Sequence, residues 1–395
     1  MHFTYLDNPF TLFLMKIFQA RIVGGAVRDA LLANITPKPL VTHLYDLDLA
    51  TPLTPTQMIK VAKEHNLTCI PTGLAHGTVT IVPFAEQMHP RIEHYEITTL
   101  RKDVQTDGRH AKVEFVHNWE EDAKRRDFTI NAMYLDDQGN VYDYFNGQDD
   151  LKNKIVRFIG DPVERIKEDY LRIMRFFRFQ AYYGEQIDGA SMKACSQMTH
   201  GLKMISKERI WKELFKLASA PNPLPTLQLM QKLNILTQID YPTPAHLEEL
   251  TALRGKLEQS FHPLMLIALF TGDWKGCKLS NHELQFVQNL RTIKLTHKAD
   301  WLKALYKLKE EWVDAKIIYD AVVYGANIDQ IKNWLKDFKK QVVLPVSGRD
   351  LMQIGCVSGE SMGKMLKQLE QLWFESDMNL SQKELLQHAS NMDQV

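Results

Sequence analysis

Cysteine is scarce in this chain. The four present, Cys69, Cys195, Cys277 and Cys356, lie far apart, with no CxxC pair and no Cys/His cluster. That spacing argues against structural zinc and against a disulfide framework, and it fits a reducing compartment. Long apolar runs are missing too, and none reaches the roughly 18 residues that a spanning helix needs. The apolar stretch Phe10–Phe18 is interrupted by Lys16 and has neither a basic segment before it nor a small-residue cleavage site after it. A first helix packed on the core is expected there, not a signal peptide. Neither charge is in excess: 48 Lys and Arg balance 48 Asp and Glu. That balance argues against a protein that coats nucleic acid or membrane through bulk charge, though not against a local basic surface. Repeats of fixed period and low-complexity tracts are also absent.

What is there is an ordinary globular mixture, 45% hydrophobic and 24% charged over 395 residues, long enough for two to four domains. Its character changes near residue 150. Before that point, short β-rich runs are expected as strands at 21–23, 46–50, 78–82, 94–100, 112–116 and 141–145. Helices are expected between them at 26–33, 55–65 and 128–135. Afterwards the pattern is helical throughout, broken at 221–225, 241–244, 260–263, 273–280 and 344–348. The fold class is therefore α+β, a mixed-sheet head followed by an all-α remainder. The expected division is a head at 1–150, a neck at 151–220, a body at 221–272 and a tail at 273–395.

Two features of the head suggest chemistry. Val23-Gly24-Gly25-Ala26-Val27-Arg28-Asp29 follows a strand and opens a helix. Paired glycines let backbone approach a ligand, and a helix start offers free N–H groups to phosphate; taken alone, the pair is more often a tight turn than a phosphate cradle. Asp46-Leu47-Asp48 places two carboxylates on one face of a strand. Mg²⁺, which prefers carboxylate and phosphate oxygens, is their natural partner, although a lone pair of this kind is also common at a solvated strand edge. Glu96 becomes a third carboxylate if its strand lies beside that of Asp46.

The string Arg125-Arg126-Asp127-Phe128-Thr129-Ile130-Asn131-Ala132 is long and specific. With the glycine turn and Asp46/Asp48, it resembles the class II tRNA nucleotidyltransferase and bacterial poly(A) polymerase family, whose head is polymerase-beta-like. Asp143-Tyr-Phe-Asn-Gly147 with Asp150-Leu151 resembles that family's head-to-neck connector. Glu168-Asp169-Tyr170-Leu171-Arg172, continuing to Arg175 and Arg178, resembles its nucleobase-selecting helix, and Ser206–Glu213 its fifth motif. The resemblance spans 21–217 and thins beyond. Within it, Glu96–Arg101 and Thr106–Val116 resemble the CCA-adding group of mitochondrial and alphaproteobacterial type. Arg101, Asp103 and Arg109 then belong to the segment of its flexible loop. The Arg-Phe-x-Leu-x-His signature usual in the poly(A) polymerases is absent.

The resemblance implies an RNA 3′-hydroxyl attacking the α-phosphorus of CTP or ATP, with Asp46 and Asp48 as ligands of Mg²⁺ and Glu96 assisting. Gly24, Gly25, Arg28 and Asp29 would contact or position the triphosphate. Arg126, Asp127 and Asn131 would hold sugar and phosphates, and Glu168 would orient Arg172. On a continuous helix, Arg165, Glu168, Asp169, Arg172 and Arg175 fall within an arc of roughly 120°. Asp169 and Arg172 would then imitate a base edge and select C and A over G and U. A solvated face with ion pairs is the plain alternative. His76-Gly77-Thr78 is either a site wall or a simple turn.

The helical remainder is expected to hold the tRNA acceptor arm and 3′ end by shape and phosphate contacts. Residues 151–183 carry eight Lys/Arg against four Asp/Glu. Arg178 among them is expected to meet RNA, and Lys207, Arg209 and Lys212 continue the basic trend, as do Lys298, Lys303, Lys307, Lys309, Lys332, Lys336, Lys339 and Lys340. Met352, Met362 and Met365 are expected in the tail's core. Alternatives to CCA addition are a poly(A) polymerase or a partial CC- or A-adding enzyme of the same family, and a non-catalytic RNA-binding protein. No His-Asp doublet of the phosphohydrolase type follows the head, no membrane association is expected, and monomer and dimer stay open. The expected compartment is the bacterial cytoplasm or, in a eukaryote, the mitochondrial matrix.

Overall fold

A computed structural model describes residues 3–35, 46–84, 92–106, 111–254, 261–272, 277, 279–293, 295–297, 300, 301, 304, 310–336, 343–355, 359–376 and 378–392. Arg109, Lys298, Lys303, Lys307, Lys309, Lys339, Lys340 and Cys356 lie outside these residues. The chain divides into two compact units, Met1–Thr243 with Thr271–Lys278, and Pro244–Phe270 with Leu279–Val395.

The first unit opens with α1 (Pro9–Ile17), whose start is fixed by the Asn8 side chain accepting from the backbone N–H groups of Phe10 and Thr11. Then follow β1 (Arg21–Val23), α2 (Gly25–Ile35), β2 (Asp46–Thr51) and α3 (Pro55–Glu64). A Thr54/Gln57 capping box starts α3. Next come β3 (Thr68–Gly73), β4 (Thr78–Val82), β5 (His94–Thr99), the hairpin β6 (Arg101–Thr106) and β7 (Ala111–Phe115), and α4 (Trp119–Lys124). The head ends with β8 (Met133–Leu135), β9 (Val141–Asp143) and α5 (Gly147–Lys152). Seven strands form one sheet in the order β3-β4-β5-β2-β1-β8-β9. It is mixed: β2 and β5 run parallel, while β1 is antiparallel to both β2 and β8. Alternation in β2 sends Leu47 and Leu49 into the core, both almost fully buried, and leaves Asp46 and Asp48 on the open face.

The neck elements are β10 (Ile155–Val156), α6 (Pro162–Glu168), α7 (Leu171–Tyr183), β11 (Gln186–Ile187), α8 (Gly189–Gln197) and α9 (Lys207–Ala218), followed by α10 (Leu224–Lys232). Two expectations need correction. The stretch 128–135 is not a helix. It is a 3-10 turn, Thr129–Asn131, leading into β8, because Met133–Leu135 completes the sheet between β1 and β9. The remainder after the head is not purely α-helical either, since β10 and β11 pair in parallel, Ile155 opposite Gln186.

In the second unit the described helices include Asn281–Thr292, Glu310–Tyr324 and Glu360–Glu375. Met362 and Met365 pack against a cluster containing Leu351, Leu369 and Trp373, whereas Met352 is exposed. Among the described residues no helix is long and apolar enough to cross a membrane.

Candidate active site

The sheet brings the glycine turn and the carboxylates together. With Arg21 opposite Ala50 and Ile22 opposite Leu49 in antiparallel register, the chain leaves β1 beside the start of β2, where Asp46 and Asp48 stand. Gly24 has φ +73°, a region that a side chain makes costly. A β-carbon there would lie 3.4 Å from Arg126 Nη1, and one at Gly25 would lie 3.4 Å from Arg28 Nη2. Two guanidinium groups therefore flank a turn that opens helix α2.

Parallel pairing sets Asp48 opposite Glu96 and Asp46 opposite His94, so Glu96 joins the carboxylate face as the sequence suggested. His94 Nε2 lies 2.6 Å from Asp46 Oδ1. Burial pushes the Asp48 carboxyl up to about 6, with Glu96 adding to the effect and Arg126 opposing it. Two carboxylates facing each other across neighbouring strands are placed to share a cation. Hard oxygen donors of this kind suit a divalent metal such as Mg²⁺. Among the described residues no three His, Cys, Asp or Glu side chains are grouped to hold a metal ion, so a cation shared by two carboxylates would need phosphate and water oxygens for the rest of its coordination.

Arg126 is held from behind by Asp122, which sequence reading missed. Asp122, one turn earlier on α4, accepts from Arg126 Nη2 (3.2 Å), Arg125 Nε (2.8 Å), the Tyr134 hydroxyl (2.7 Å) and the Arg101 backbone N–H (3.2 Å). Burial alone would raise its carboxyl, but Arg126 and Arg125 outweigh it and hold it at about 2. Arg126 Nε is buried with no hydrogen-bond partner among the described residues. The i,i+4 spacing of Asp122 and Arg126 was the available signal.

A second chain of contacts runs from the turn into the neck. Arg28 donates to both carboxylate oxygens of Asp29 (2.8 and 3.0 Å) and to Asn131 Oδ1 (2.6 Å). Asn131 Nδ2 donates to Asp127 Oδ1 (3.1 Å), and Asp127 Oδ2 accepts from Arg175 Nε (2.7 Å). Burial would raise the Asp127 carboxyl too; Arg175 and Asn131 hold it at about 2. Arg28 is itself buried, a strut beneath the turn. Glu213, the last residue of the string that resembles the fifth motif, accepts from Arg178 Nε at 2.5 Å. Its partners Arg178 and Arg175 are 35 and 38 residues away, so no local pattern announces the pairing.

The segment expected to select the base differs from the continuous helix anticipated for it. It breaks after Glu168, with Asp169 extended at φ −154° and ψ 107°. Asp169 Oδ1 accepts from the Leu171 N–H (3.1 Å) and its carbonyl from the Arg172 N–H (3.0 Å), a capping use of aspartate that starts α7. The single arc therefore ends at Glu168. Glu168 does pair with Arg172, as the resemblance implied, and also with Arg165. Arg172 further donates to the carbonyls of Arg165 (2.7 Å) and Arg125 (3.3 Å), and Arg165 to that of Arg126 (2.6 Å). The Asp169 Oδ2 atom accepts from Arg209 Nη2 at 2.9 Å. Arg178 and Arg209 thus stand in ion pairs, while Lys207 opens α9. In the loop segment, Arg101 starts β6 and donates to the His76 carbonyl. Asp103 lies in β6 opposite Val113.

Comparison with known proteins agrees with this geometry. A family model described as the poly A polymerase head domain matches residues 20–157, and one described as the probable RNA and SrmB-binding site of polymerase A matches 186–242. The mitochondrial CCA tRNA nucleotidyltransferase 1 of Mus musculus is 37% identical, over 95% of this chain and 88% of that protein. The CCA-adding enzyme of Lactobacillus helveticus is 31% identical, over 95% and 94%. The crystal structure of the Bacillus stearothermophilus CCA-adding enzyme with CTP shares the fold at TM-score 0.66 and 23% identity, covering 99% of this chain and 98% of that one. The Thermotoga maritima enzyme complexed with tRNA does so at TM-score 0.63 and 18% identity, covering 98% and 97%. With a mixed-sheet head, a carboxylate face beside a glycine turn, and relatives of this identity along nearly its whole length, the chain belongs to the CCA tRNA nucleotidyltransferase family and is a nucleotidyltransferase.

Proposed function

We propose that this enzyme adds C, C and A in turn to the 3′ end of tRNA, using CTP and ATP and releasing pyrophosphate. The observation that carries the proposal is the Asp48–Glu96 register beside the Gly24–Gly25 turn and its two guanidinium groups. The tRNA 3′-oxygen forms a bond to the α-phosphorus as the α–β bridge bond breaks. The N–H groups at the start of α2 and the positive charge of Arg126 face the triphosphate. Arg28, Asp29, Asn131 and Asp127 hold that surface in place. Asp46 and Asp48, with Glu96 assisting, would hold Mg²⁺, which when bound would neutralise phosphate charge and make a hydroxyl easier to ionise. Asp169 and Arg172 offer an acceptor and donors to the base, with Glu168 and Arg209 setting their directions.

Residues 1–150 supply the chemistry, 151–220 select the base, and the helical remainder, 221–272 and 273–395, engages the tRNA. The named relatives come from mitochondria and from bacteria, which supports work in the mitochondrial matrix or the bacterial cytoplasm.

Primer extension tests the proposal. A tRNA transcript ending before CCA is incubated with the full chain, CTP, ATP and Mg²⁺. Addition of C, C and A followed by a stop is expected, with Asp48→Asn slower by on the order of a thousandfold. Long A tracts on unrelated RNAs would point to the poly(A) alternative. Incorporation indifferent to Asp48 would reject the site.

A further inference from the structure

We propose that Tyr183, the last residue of α7, is a positioning residue for the nucleotide site: it locks the Arg28–Asp29 pair beneath the Gly24–Gly25 turn. Its hydroxyl donates to Asp29 Oδ1 at 3.0 Å across 154 residues of sequence. Its ring lies under the Arg28 guanidinium, 4.1 Å from ring centre to carbon, a cation–π placement. Asp29 Oδ1 thus accepts from Arg28 and Tyr183 at once, and Oδ2 accepts from Arg28 alone. Every nitrogen of the Arg28 guanidinium is engaged, with Asn131 taking the third.

The Tyr183 ring packs against Phe179 and Tyr182, with ring centroids 5.8 and 5.9 Å away, and a cavity of about 520 Å³ borders it, lined also by Leu32, Gln180, Pro225 and Leu229. The hydrogen bond to Asp29 adds the one polar anchor that ties the hydroxyl to the carboxylate. Burial, helped by Asp29, raises the Tyr183 pKa, so the hydroxyl keeps its proton and stays a donor at any working pH.

The two ends of the neck helix therefore act on different parts of the nucleotide. Asp169 and Arg172 at its start are placed for the base, while Tyr183 at its end reaches only the residues under the triphosphate turn. CTP and ATP share the triphosphate, so a defect at Tyr183 falls equally on both.

The inference rests on assigning the Gly24–Gly25 turn to the triphosphate, and one experiment separates the two. Steady-state kinetics are measured for the full chain and for Arg28→Ala, Tyr183→Phe and Tyr182→Phe, on tRNA ending before CCA and on tRNA ending in CC. Thermal melts monitor folding. Tyr183→Phe is expected to raise KM for CTP and for ATP by the same factor, about five- to tenfold, with kcat and rejection of UTP within about twofold of the parent. Tyr182→Phe, which lines the same cavity without reaching Asp29, changes neither KM. A Tyr183→Phe enzyme that melts lower yet keeps both KM values, or shifts only one, would overturn the role. If Arg28→Ala also leaves both KM values unchanged, the triphosphate assignment itself fails. If Arg28→Ala raises them and Tyr183→Phe does not, only the Tyr183 role is lost.

Discussion

Asp122 gathers four donors on one buried carboxylate, and its depressed pKa makes that arrangement measurable. The folded carboxyl titrates at about 2, against 3.8 unfolded. A depressed acid stabilises the fold above the unfolded value and loses that contribution as pH falls through the folded value. The contribution is about 2 kcal/mol, complete above pH ~4 and largely gone near pH ~2. Asp127 behaves in the same way. Urea unfolding from pH 7 to pH 3 checks the sign: Asp122→Asn should cost stability at neutral pH, and roughly half the gap from the parent should close by pH 3. A gap that stayed constant across that range would show that the carboxylate is not ionised in the fold. The same substitution frees Arg126 and the start of β6 together, so slower nucleotide addition is expected along with the stability loss.

At the scale of elements, the joint between α6 and α7 decides what Arg209 does. The arginine lies on α9 and reads in sequence as a phosphate contact, yet its Nη2 is 2.9 Å from the carboxylate of Asp169, the residue proposed to meet the base. Arg209→Ala is therefore expected to loosen base choice, raising UTP incorporation about tenfold through loss of one charged hydrogen bond, while KM for tRNA stays within about twofold. A rise in tRNA KM with base choice intact would return Arg209 to the RNA surface. This joint was not legible from residue order, because 162–183 contains no glycine and its only proline is the first residue. The break comes from Asp169 capping α7 with its own oxygens and accepting from a residue 40 positions away. Likewise, 128–135 carries a helical pattern but folds as turn and strand, since Asp127 and Asn131 spend their side chains on Phe128, Arg28 and Arg175. By contrast, β2 was legible because its alternation of Asp46, Leu47, Asp48 and Leu49 assigns a face to each residue without help from elsewhere. Its pairing with β5 then placed Glu96 as expected.

For the whole molecule, the zero net charge hides a local excess whose purpose the structure alters. Of the eight Lys and Arg between 151 and 183, seven stand in ion pairs: Lys154, Arg157, Arg165, Lys167, Arg172, Arg175 and Arg178. Five partner carboxylates, on Asp127, Asp150, Glu185, Asp188 and Glu213, lie outside that stretch. The neck is cation-rich because it grips the head and its own neighbouring segments. It is not a bare phosphate-binding face, and the side chains of Arg165, Arg172 and Arg178 are each under 15% exposed. Salt dependence distinguishes the two designs. Each phosphate neutralised adds roughly 0.9 to the slope of log affinity against log salt on a duplex. Eight free cations would thus give a slope near −7, whereas mainly internal pairing predicts one of about −2 to −3. Filter binding of tRNA between about 50 and 200 mM salt measures it. A slope steeper than about −5 would mean that the neck arginines leave their carboxylates for the RNA, and the head–neck contacts described above would then belong only to the RNA-free enzyme.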